Sequence, residues 1–572
     1  MGLKTIFVNQ KEIEKLNKRD CFKDIVSFID KSNGSSGRVV ALYGLRRTGK
    51  TILMSQLAIN YNIPYIYQVD KDTTMDEVMA KLDEELKRGS KVVFLDEVTN
   101  SKDFVTNSAL LADCYAKVGL DVVIAGTDSL EIAMAEEQEL LDRMYLVYTT
   151  YIPYAEYCRV LNILNIDEYI QYGGLMRKGL LDSEAVTDIV SAKRYLDSAV
   201  ADNIVNSLQK NPDYPGFNEI KKYGRDDIRL MIQRLVELYN GSFTINDLNN
   251  IISKDPEIIF RYKKLDNKTL REEYKKSINI NKELTDRATE QLVDELEKTF
   301  KMLEILAPIT VREFSKEGED WTKRRHTEYY LVQPAIKYYH LKEAQKILLD
   351  SDALESLTDN ERESLAEQLQ NYIFGLMTKV IVQNDVSKLM NDKCFGVYKP
   401  KFKKMEKSVG EYDLLIYDKR VNAYYCFEIK HTSTPYLAID NDGKYIGQDK
   451  NLLNEDFMEE MNHQFGTRIC ACVLYNGDSF KAPTGTIYLN VSNFLVAIDK
   501  YRDIQLAMIE LVKNLPVRTD IMIEGPQNYV EEFLLHRIEL AEENVNSAKI
   551  QAQNAQYEPT YTKQDGFNQT DD

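Results

Sequence analysis

The chain has 572 residues, of which 44% are hydrophobic and 29% are charged, a balance typical of folded domains and not of disordered or fibrous proteins. At about 150 residues per domain, this length predicts three or four domains. The formal net charge of −18 argues against a surface that binds nucleic acid over its whole extent, and no apolar run reaches the ~20 residues of a membrane-spanning helix.

The N-terminal region, residues 1–36, is predicted to be a helical segment without the apolar stretch of a signal peptide. The seven cysteines are scattered along the chain with no CxxC pair. Unpatterned cysteines are typical of thiols in a reducing compartment. We therefore expect a cytoplasmic protein with no membrane partner.

Between residues 37 and 153, short apolar runs alternate with amphipathic segments. Apolar runs bounded by turn signals are typical of buried parallel strands, and the amphipathic segments between them are typical of helices. The predicted strands are 39–43, 63–69, 92–95, 122–125 and 144–148, and the predicted helices include 50–60 and 74–88. The pattern predicts an α/β domain with a parallel sheet.

A glycine-rich motif follows the first of these strands. Residues 44–51 read GLRRTGKT and fit the phosphate-loop pattern G-x-x-x-x-G-K-[ST] without a departure. The loop amides and the start of the next helix supply hydrogen-bond donors and a positive dipole for phosphate oxygens. Lys50 is expected to reach the β- and γ-phosphates, and Thr51 to ligate Mg²⁺. The predicted nucleotide-binding residues in this loop are Gly44, Arg46, Arg47, Thr48, Gly49, Lys50 and Thr51.

Two acids, Asp96 and Glu97, follow the predicted strand at 92–95. Asp96 is expected to hold Mg²⁺ through water, and Glu97 to orient and deprotonate the attacking water. The additional strand between this pair and the phosphate loop, with the second acid, indicates the branch of P-loop proteins that includes AAA+ ATPases. The two motifs together predict ATP and Mg²⁺ as ligands.

Two further residues are candidates for the hydrolytic site. Thr127 follows the strand at 122–125 and would lie beside the γ-phosphate as a sensor, unless it belongs to a hydroxyl-rich turn that caps the next helix. Arg143 could stabilise charge on the transferred phosphoryl group, in its own subunit or in a neighbour, or could form a surface salt bridge. A homo-oligomer is therefore an open alternative.

Residues 154–240 have a helical period throughout. Residues 241–345 combine helices with two predicted strands, 309–314 and 327–332, and the turn between them carries Trp321, Lys323, Arg324, Arg325 and His326. Helices followed by a hairpin with a basic tip are typical of a winged helix. The basic turn could contact DNA, or it could simply be solvated.

A second group of acids lies in residues 350–515, which are predicted to begin with a helix and continue with hairpin-like strands. Asp413 lies on one predicted strand, 412–417, and Glu428 and Lys430 lie on the next, 423–430. Strand side chains alternate between faces, so Glu428 and Lys430 project to the same side, and an antiparallel hairpin can bring Asp413 near them. The two carboxylates could bind Mg²⁺ while Lys430 positions or deprotonates the attacking water.

Glu411 and Glu367 are possible additional ligands of this second site. Five nearby lysines suit a phosphate backbone, although a solvated lysine loop is an equally simple interpretation. They are Lys399, Lys401, Lys403, Lys404 and Lys407.

In this order, the motifs GLRRTGKT, FLDEV, IAGTDS, LLDRMY and YIPYAEY resemble those of a prokaryotic family of AAA-type ATPases. The chain keeps the family's Arg46, Asp96, Glu97, Arg143 and Glu156, and departs from it at Asp142, Thr127-Asp128 and Tyr154-Ala155. The resemblance implies an ATPase domain at 37–153, a helical lid at 154–240, a winged helix at 241–345, a restriction-endonuclease-like PD-(D/E)xK domain at 350–515, and a helix with a disordered tail at 516–572.

Two functions are compatible with this organisation. In the first, ATP hydrolysis gates Mg²⁺-dependent cleavage of DNA at Asp413, Glu428 and Lys430. In the second, the chain is a nucleotide-switched module that binds DNA or protein, and its nuclease-like domain is inactive.

Overall fold

The computed structural model describes residues 3–537 with gaps at 33–36, 72, 164, 177–184, 241–289, 319, 351–353, 356, 406 and 519–520. The first half of the predicted winged helix and most of the predicted tail therefore lie outside the described residues. The described part is a mixed α/β structure with two sheets.

The first sheet is built from short, mostly buried strands. They are β1 (Leu3–Phe7), β2 (Val39–Tyr43), β3 (Tyr65–Val69), β4 (Val92–Asp96), β5 (Asp121–Ala125) and β6 (Met144–Tyr148). The strand order is β1-β3-β4-β5-β2-β6, and all neighbours are parallel except β1 and β3. The apolar runs predicted β2 to β6. β1 corrects the prediction of a wholly helical N-terminus: it is a mostly exposed edge strand held by backbone pairing with β3.

Helices cover both faces of this sheet. They are α1 (Gln10–Ile13), α2 (Cys21–Ser32), α3 (Lys50–Asn60), α4 (Met75–Arg88), α5 (Phe104–Asn107) and α6 (Ser129–Gln138). Val40 and Leu42 of β2 pack with α2 and α3, whereas Val39 and Ala41 pack in a second cluster with α4 and α6. The alternation of strand side chains thus separates two apolar layers.

The next segment is helical, as its period predicts. It contains α7 (Tyr154–Leu161), α8 (Ile166–Tyr172), α9 (Ile189–Leu196), α10 (Asp202–Lys210), α11 (Arg225–Asn240) and α12 (Glu290–Met302), with a π-helical turn, Asp197–Ala201, between α9 and α10. These helices do not share one core. Residues of α9 to α12 pack with the first sheet, whereas α7 and α8 pack with residues 338–508.

The second sheet has nine strands. They are β7 (Leu306–Glu317), β8 (Asp320–Leu331), β9 (Phe395–Lys404), β10 (Lys407–Glu411), β11 (Leu414–Asp418), β12 (Ala423–Ile429), β13 (Thr467–Tyr475), β14 (Phe480–Lys481) and β15 (Ile487–Asn490). Their order is β14-β15-β13-β12-β11-β9-β7-β8, with β10 paired to β9 alone. Further helices are α13 (Pro334–Leu349), α14 (Asp359–Leu389), α15 (Glu455–Phe465), α16 (Val491–Tyr501) and α17 (Ile504–Val512).

The hairpin of β7 and β8 differs from the predicted wing. Trp321, Lys323, Arg324, Arg325 and His326 lie within β8 and not in the turn. β8 is an edge strand, so its charged side chains remain in water without breaking the pairing. β7 pairs in parallel with β9, which makes the hairpin part of the second sheet. The boundary predicted near residue 345 therefore divides strands that belong to one sheet.

Candidate nucleotide-binding site and a second acidic site

The phosphate loop connects β2 to α3, and close packing fixes its shape. At Gly44, φ is 149°, and a Cβ there would lie 2.3 Å from Thr149 Oγ1 and 2.9 Å from the backbone nitrogen of Thr150. Gly49, the N-cap residue immediately before α3, has a left-handed φ of 89°. Both positions therefore require glycine.

Lys50 folds back onto its own loop. Its amine donates to the carbonyl oxygens of Gly44 and Leu45 at 2.6 and 2.8 Å. Burial lowers the pKa of Lys50 to about 8, and the nearby carboxylates of Glu97 and Asp96 oppose that shift. A triphosphate would offer this amine anionic acceptors in place of neutral carbonyls.

Thr51 and Asp96 come together at the end of β4. The Thr51 hydroxyl donates to Asp96 Oδ2 at 2.9 Å, and Asp96 Oδ1 accepts from the backbone nitrogen of Glu97. Burial raises the pKa of Asp96. A hydroxyl and a carboxylate side by side are hard oxygen donors, so these residues fit Mg²⁺.

Glu97 is held by the residue predicted as a sensor. The Thr127 hydroxyl donates to Glu97 Oε1 at 2.7 Å, and the Thr127 backbone nitrogen donates to Oε2 at 3.1 Å. Glu97 has a φ of 55°, a conformation uncommon outside glycine and frequent at functional sites. Beside them, Asp128 Oδ1 is buried with no hydrogen-bond partner among the described residues, and burial raises the pKa of that carboxyl.

Arg143 lies away from this site. It precedes β6, whose first residue pairs with Val39 at the start of β2, whereas the phosphate loop follows the end of β2. The start and the end of β2 are four residues, or about 13 Å, apart. Arg143 instead forms an ion pair with Asp113 at 2.7 Å. Because β6 and β2 are parallel, Arg143 lies at the opposite end of β2 from the phosphate loop. This position corrects the alternative in which Arg143 acts in its own subunit.

The outside of the loop touches the helical segment. The Tyr195 hydroxyl donates to the backbone oxygen of Arg46, and the Met176 nitrogen donates to that of Arg47. The Arg47 guanidinium lies 5.7 Å from the centre of the Tyr195 ring. Gln333, just before α13, donates to the Tyr195 hydroxyl at 3.2 Å. Side chains distant in sequence thus support the two loop arginines.

α10 contacts the sensor segment. Asn203 donates from Nδ2 to the Thr127 backbone oxygen at 3.2 Å, and its Oδ1 accepts from the Leu130 nitrogen at 3.3 Å. A displacement of α10 would therefore act on Thr127, the residue that holds Glu97.

Two residues behind the loop had no assigned role in the sequence. Arg19 is 6% exposed and forms an ion pair with Glu156 at the start of α7. Arg19 also donates to the carbonyl of Thr48. Glu156 was visible as part of the YIPYAEY motif, but nothing in the charged segment around Arg19 distinguishes it from its neighbours.

The second group of predicted residues also comes together. Leu414 of β11 pairs with Phe427 of the antiparallel β12, so Asp413, the residue before β11, lies across from Glu428. Asp413 Oδ2 accepts from the Ile429 nitrogen at 2.8 Å, and the Lys430 amine lies 2.6 Å from Glu428 Oε2. Asp413 and Glu428 are 1% and 2% exposed.

Three residues at this site were missed in the sequence. The Lys379 amine lies 2.7 Å from Asp413 Oδ1, and Gln383 donates to the Asp413 backbone oxygen at 2.6 Å. Asn451 donates to Glu428 Oε1 at 3.0 Å. The i, i+4 spacing of Lys379 and Gln383 predicts a shared helix face, but their pairing with Asp413 depends on tertiary packing.

The two carboxyl groups differ in acidity. Burial and the neighbouring Asp413 raise the pKa of Glu428 to about 7. Burial alone would raise the pKa of Asp413 too, but Lys379 and Lys430 outweigh it and lower that pKa. Asp413 is therefore the more acidic member of the pair.

One predicted contributor does not reach this site. Glu367 is exposed on α14, twelve residues or about 18 Å along the helix from Lys379. Glu411 lies at the edge of the site, where Asn451 donates both to its backbone oxygen and to Glu428, and its carboxylate is 3.8 Å from Lys399. Within the described ranges, no group of three or more His, Cys, Asp or Glu side chains could hold a metal ion.

Most of the predicted lysine loop is β-structure. Lys399, Lys401 and Lys403 lie on β9 and form ion pairs with Glu411, Glu328 and Glu313. These three amines therefore already face carboxylates, which corrects their interpretation as a ready phosphate-binding loop. In the part of the chain that the structure describes, no helix is long and apolar enough to cross a membrane.

A comparison with known proteins finds a family match over the residues of the first site. Residues 36–158 match a family model described as an AAA domain. The chain is similar to a solved structure, the Walker-type ATPase PABY2304 of Pyrococcus abyssi, at 11% identity and a TM-score of 0.27, with 57% of this chain and 96% of that chain covered. No curated protein matches the sequence. Residues 36–158 are therefore similar to an AAA domain, and this span contains both the phosphate loop and the acidic pair.

Proposed function

We propose that the chain binds and hydrolyses ATP at residues 44–51, with Mg²⁺ held by Thr51 and Asp96. The observation that carries this proposal is the pair of hydrogen bonds from Thr127 that hold Glu97 beside Asp96. Lys50 leaves its two carbonyl partners for the β- and γ-phosphates, and Glu97 accepts a proton from the attacking water. Bound Mg²⁺ supplies positive charge to the phosphate oxygens.

Phosphate release from ATP tests this proposal. Glu97→Gln should keep ATP binding and lose turnover, because the amide cannot accept the proton. Glu84→Gln is the matched control, since Glu84 is an exposed residue of α4 paired with Lys81. Turnover by Glu97→Gln equal to that of the wild type would remove Glu97 from the reaction.

We further propose that Asp413, Glu428 and Lys430 cleave phosphodiester bonds of DNA with Mg²⁺, under control of the nucleotide site. Support comes from two buried carboxylates on neighbouring strands with an amine 2.6 Å from one of them. These donors suit a hard cation if Lys379 withdraws from Asp413. Lys430 would then hold or deprotonate water near the scissile phosphate.

A second candidate function is a nucleotide-switched module that binds DNA or protein without cutting. It is favoured by Lys379, whose ammonium already neutralises Asp413 at 2.7 Å. The described residues also offer no third carboxylate, histidine or thiol to complete a metal site.

Plasmid DNA with Mg²⁺ and ATP distinguishes the two. Cleavage by the wild type that Lys430→Ala abolishes would support the nuclease. The control is Lys450→Ala, because Lys450 is exposed and adjoins Asn451. Absence of nicking under any divalent metal, or equal nicking by Lys430→Ala, would favour the module.

A further inference from the structure

A buried guanidinium joins the phosphate loop to the segment after β6. Arg19 Nη1 donates to the carbonyl oxygens of Thr48 at 2.7 Å and Thr149 at 3.2 Å, and Nη2 donates to that of Tyr151 at 3.3 Å. Thr48 lies within the loop, whereas Thr149 and Tyr151 follow β6. One side chain therefore fixes the distance between two separate segments.

Glu156 holds this guanidinium in place. Its Oε1 accepts from Arg19 Nε and from the Asp20 backbone nitrogen, and its Oε2 accepts from Arg19 Nη2 at 3.4 Å. Both side chains are buried. Removing two charges from water is costly, so a buried pair of this kind is poorly explained by stability alone. The planar fork of arginine satisfies several acceptors in fixed directions, which a lysine amine cannot reproduce.

The segment after β6 also shapes the loop directly. Thr149 Oγ1 donates to the Tyr43 carbonyl and lies 2.9 Å from Thr48 Oγ1. The Leu45 nitrogen donates to Thr150 Oγ1 at 3.1 Å. Arg19, Thr149 and Thr150 therefore belong to one hydrogen-bond network that contacts the phosphate loop.

The Thr48 carbonyl has a direct consequence for nucleotide binding. A trans peptide is planar, and its C=O and N–H point in opposite directions. Holding the Thr48 oxygen against Arg19 therefore turns the Gly49 N–H the other way. Gly49 is the N-cap residue of α3, where backbone amides are expected to meet the phosphates.

We propose that Arg19 and Glu156 are positioning residues for ATP, which act through the Thr48–Gly49 peptide without touching the nucleotide. This inference rests on the proposed ATP site. It assigns to residues outside the matched loop motif a specific effect on nucleotide affinity.

The chain offers a matched control in Arg159. Its Nη1 donates to the Lys18 carbonyl at 2.7 Å, and its Nη2 pairs with Asp20. Arg159 thus ties the same N-terminal segment to α7, while its contacts lie away from residues 44–51. Loosening the segment can therefore be separated from releasing the loop.

The experiment compares wild type, Arg19→Lys, Glu156→Gln and Arg159→Ala in the full chain. ATP affinity is measured by calorimetry, KM and kcat by phosphate release, and folding by thermal unfolding. Loss of charge-assisted hydrogen bonds should weaken ATP binding and raise KM by about tenfold or more in the first two variants. kcat should change much less, and Arg159→Ala should bind ATP like the wild type.

Three results would overturn the inference. One is wild-type affinity and KM in a folded Arg19→Lys or Glu156→Gln chain. Another is an equal loss in Arg159→Ala. The third is loss of the fold in both test variants, which would make the pair a stability element. Failure of the wild type itself to bind ATP would instead refute the proposed function.

Discussion

Lys50 has two states in this account, one bound to loop carbonyls and one bound to phosphates. Burial lowers its pKa to about 8 in the nucleotide-free loop. The negative charge of a triphosphate favours the ammonium form and raises the pKa. At pH 8 the Lys50 amine is partly neutral, so it must take up protons when ATP binds.

We predict that ATP binding at pH 8 consumes a fraction of a proton and that this uptake fades toward pH 6.5. Calorimetry in two buffers of different ionisation enthalpy measures it. Lys50→Arg is the control, because arginine stays charged throughout this range. Binding heats independent of the buffer at pH 8 would contradict the prediction.

Thr127 determines where the Glu97 carboxylate points, through bonds of 2.7 and 3.1 Å. We predict that Thr127→Val, which keeps the shape and the backbone bond, lowers kcat by about ten- to a hundredfold, as expected for one hydrogen bond to a charged group. ATP affinity should change little. Thr127→Ser should restore turnover, and a Thr127→Val enzyme as fast as the wild type would show that the hydroxyl is dispensable.

At the scale of elements, α14 contacts the second site and the chain segment that follows the loop-supporting threonines. It carries Lys379 and Gln383 to Asp413. Its Asp385 accepts hydrogen bonds from the Tyr151 hydroxyl and the Tyr154 nitrogen, in the segment that follows the loop-supporting Thr149 and Thr150. A shift of this segment would therefore act on the helix that neutralises Asp413.

Asp385 should make stability depend on pH. Burial raises its pKa to about 7, above the unfolded value of about 4. Its contribution is therefore complete below about pH 4 and is lost as pH rises through 7. We predict that the urea midpoint of Asp385→Asn, relative to the wild type, is higher at pH 8 than at pH 5. An equal difference at both pH values would show that Asp385 ionises freely in the folded chain.

The strands of the first sheet could be predicted from the sequence because the inner strands are rich in buried apolar residues. β8 could not, since its charges suggested a turn although an edge strand tolerates them. Thr51, Asp96 and Glu97 could be placed because a motif and one parallel sheet determine their proximity. Arg19, Lys379 and Asn203 could not, because their partners lie far away in sequence and depend on how helices pack.

At the scale of the whole molecule, the boundaries suggested by sequence do not coincide with the apolar cores. The core of the first sheet continues through Leu296, Phe300 and Ile305 to Ile336. The other large core joins α7 and α8 to the helices of the second sheet. The chain therefore passes back and forth between these two cores.

This arrangement predicts that residues 1–240 do not fold alone, although they contain every residue of the proposed ATP site. Such a fragment lacks Leu292, Leu296, Phe300 and Leu331, all buried in the core of the first sheet. Thermal unfolding and proteolysis of the fragment, compared with residues 1–350, measure the effect. A cooperative transition in the shorter fragment, equal to that of the longer one, would contradict it.

The most direct test of the central claim is a calorimetric titration of Mg²⁺–ATP into the full chain and into Lys50→Ala, with Lys87→Ala as an exposed-lysine control on α4. We predict saturable heat for the wild type and Lys87→Ala and none for Lys50→Ala. A folded wild type that gives no heat, or a Lys50→Ala chain that binds equally well, would contradict it.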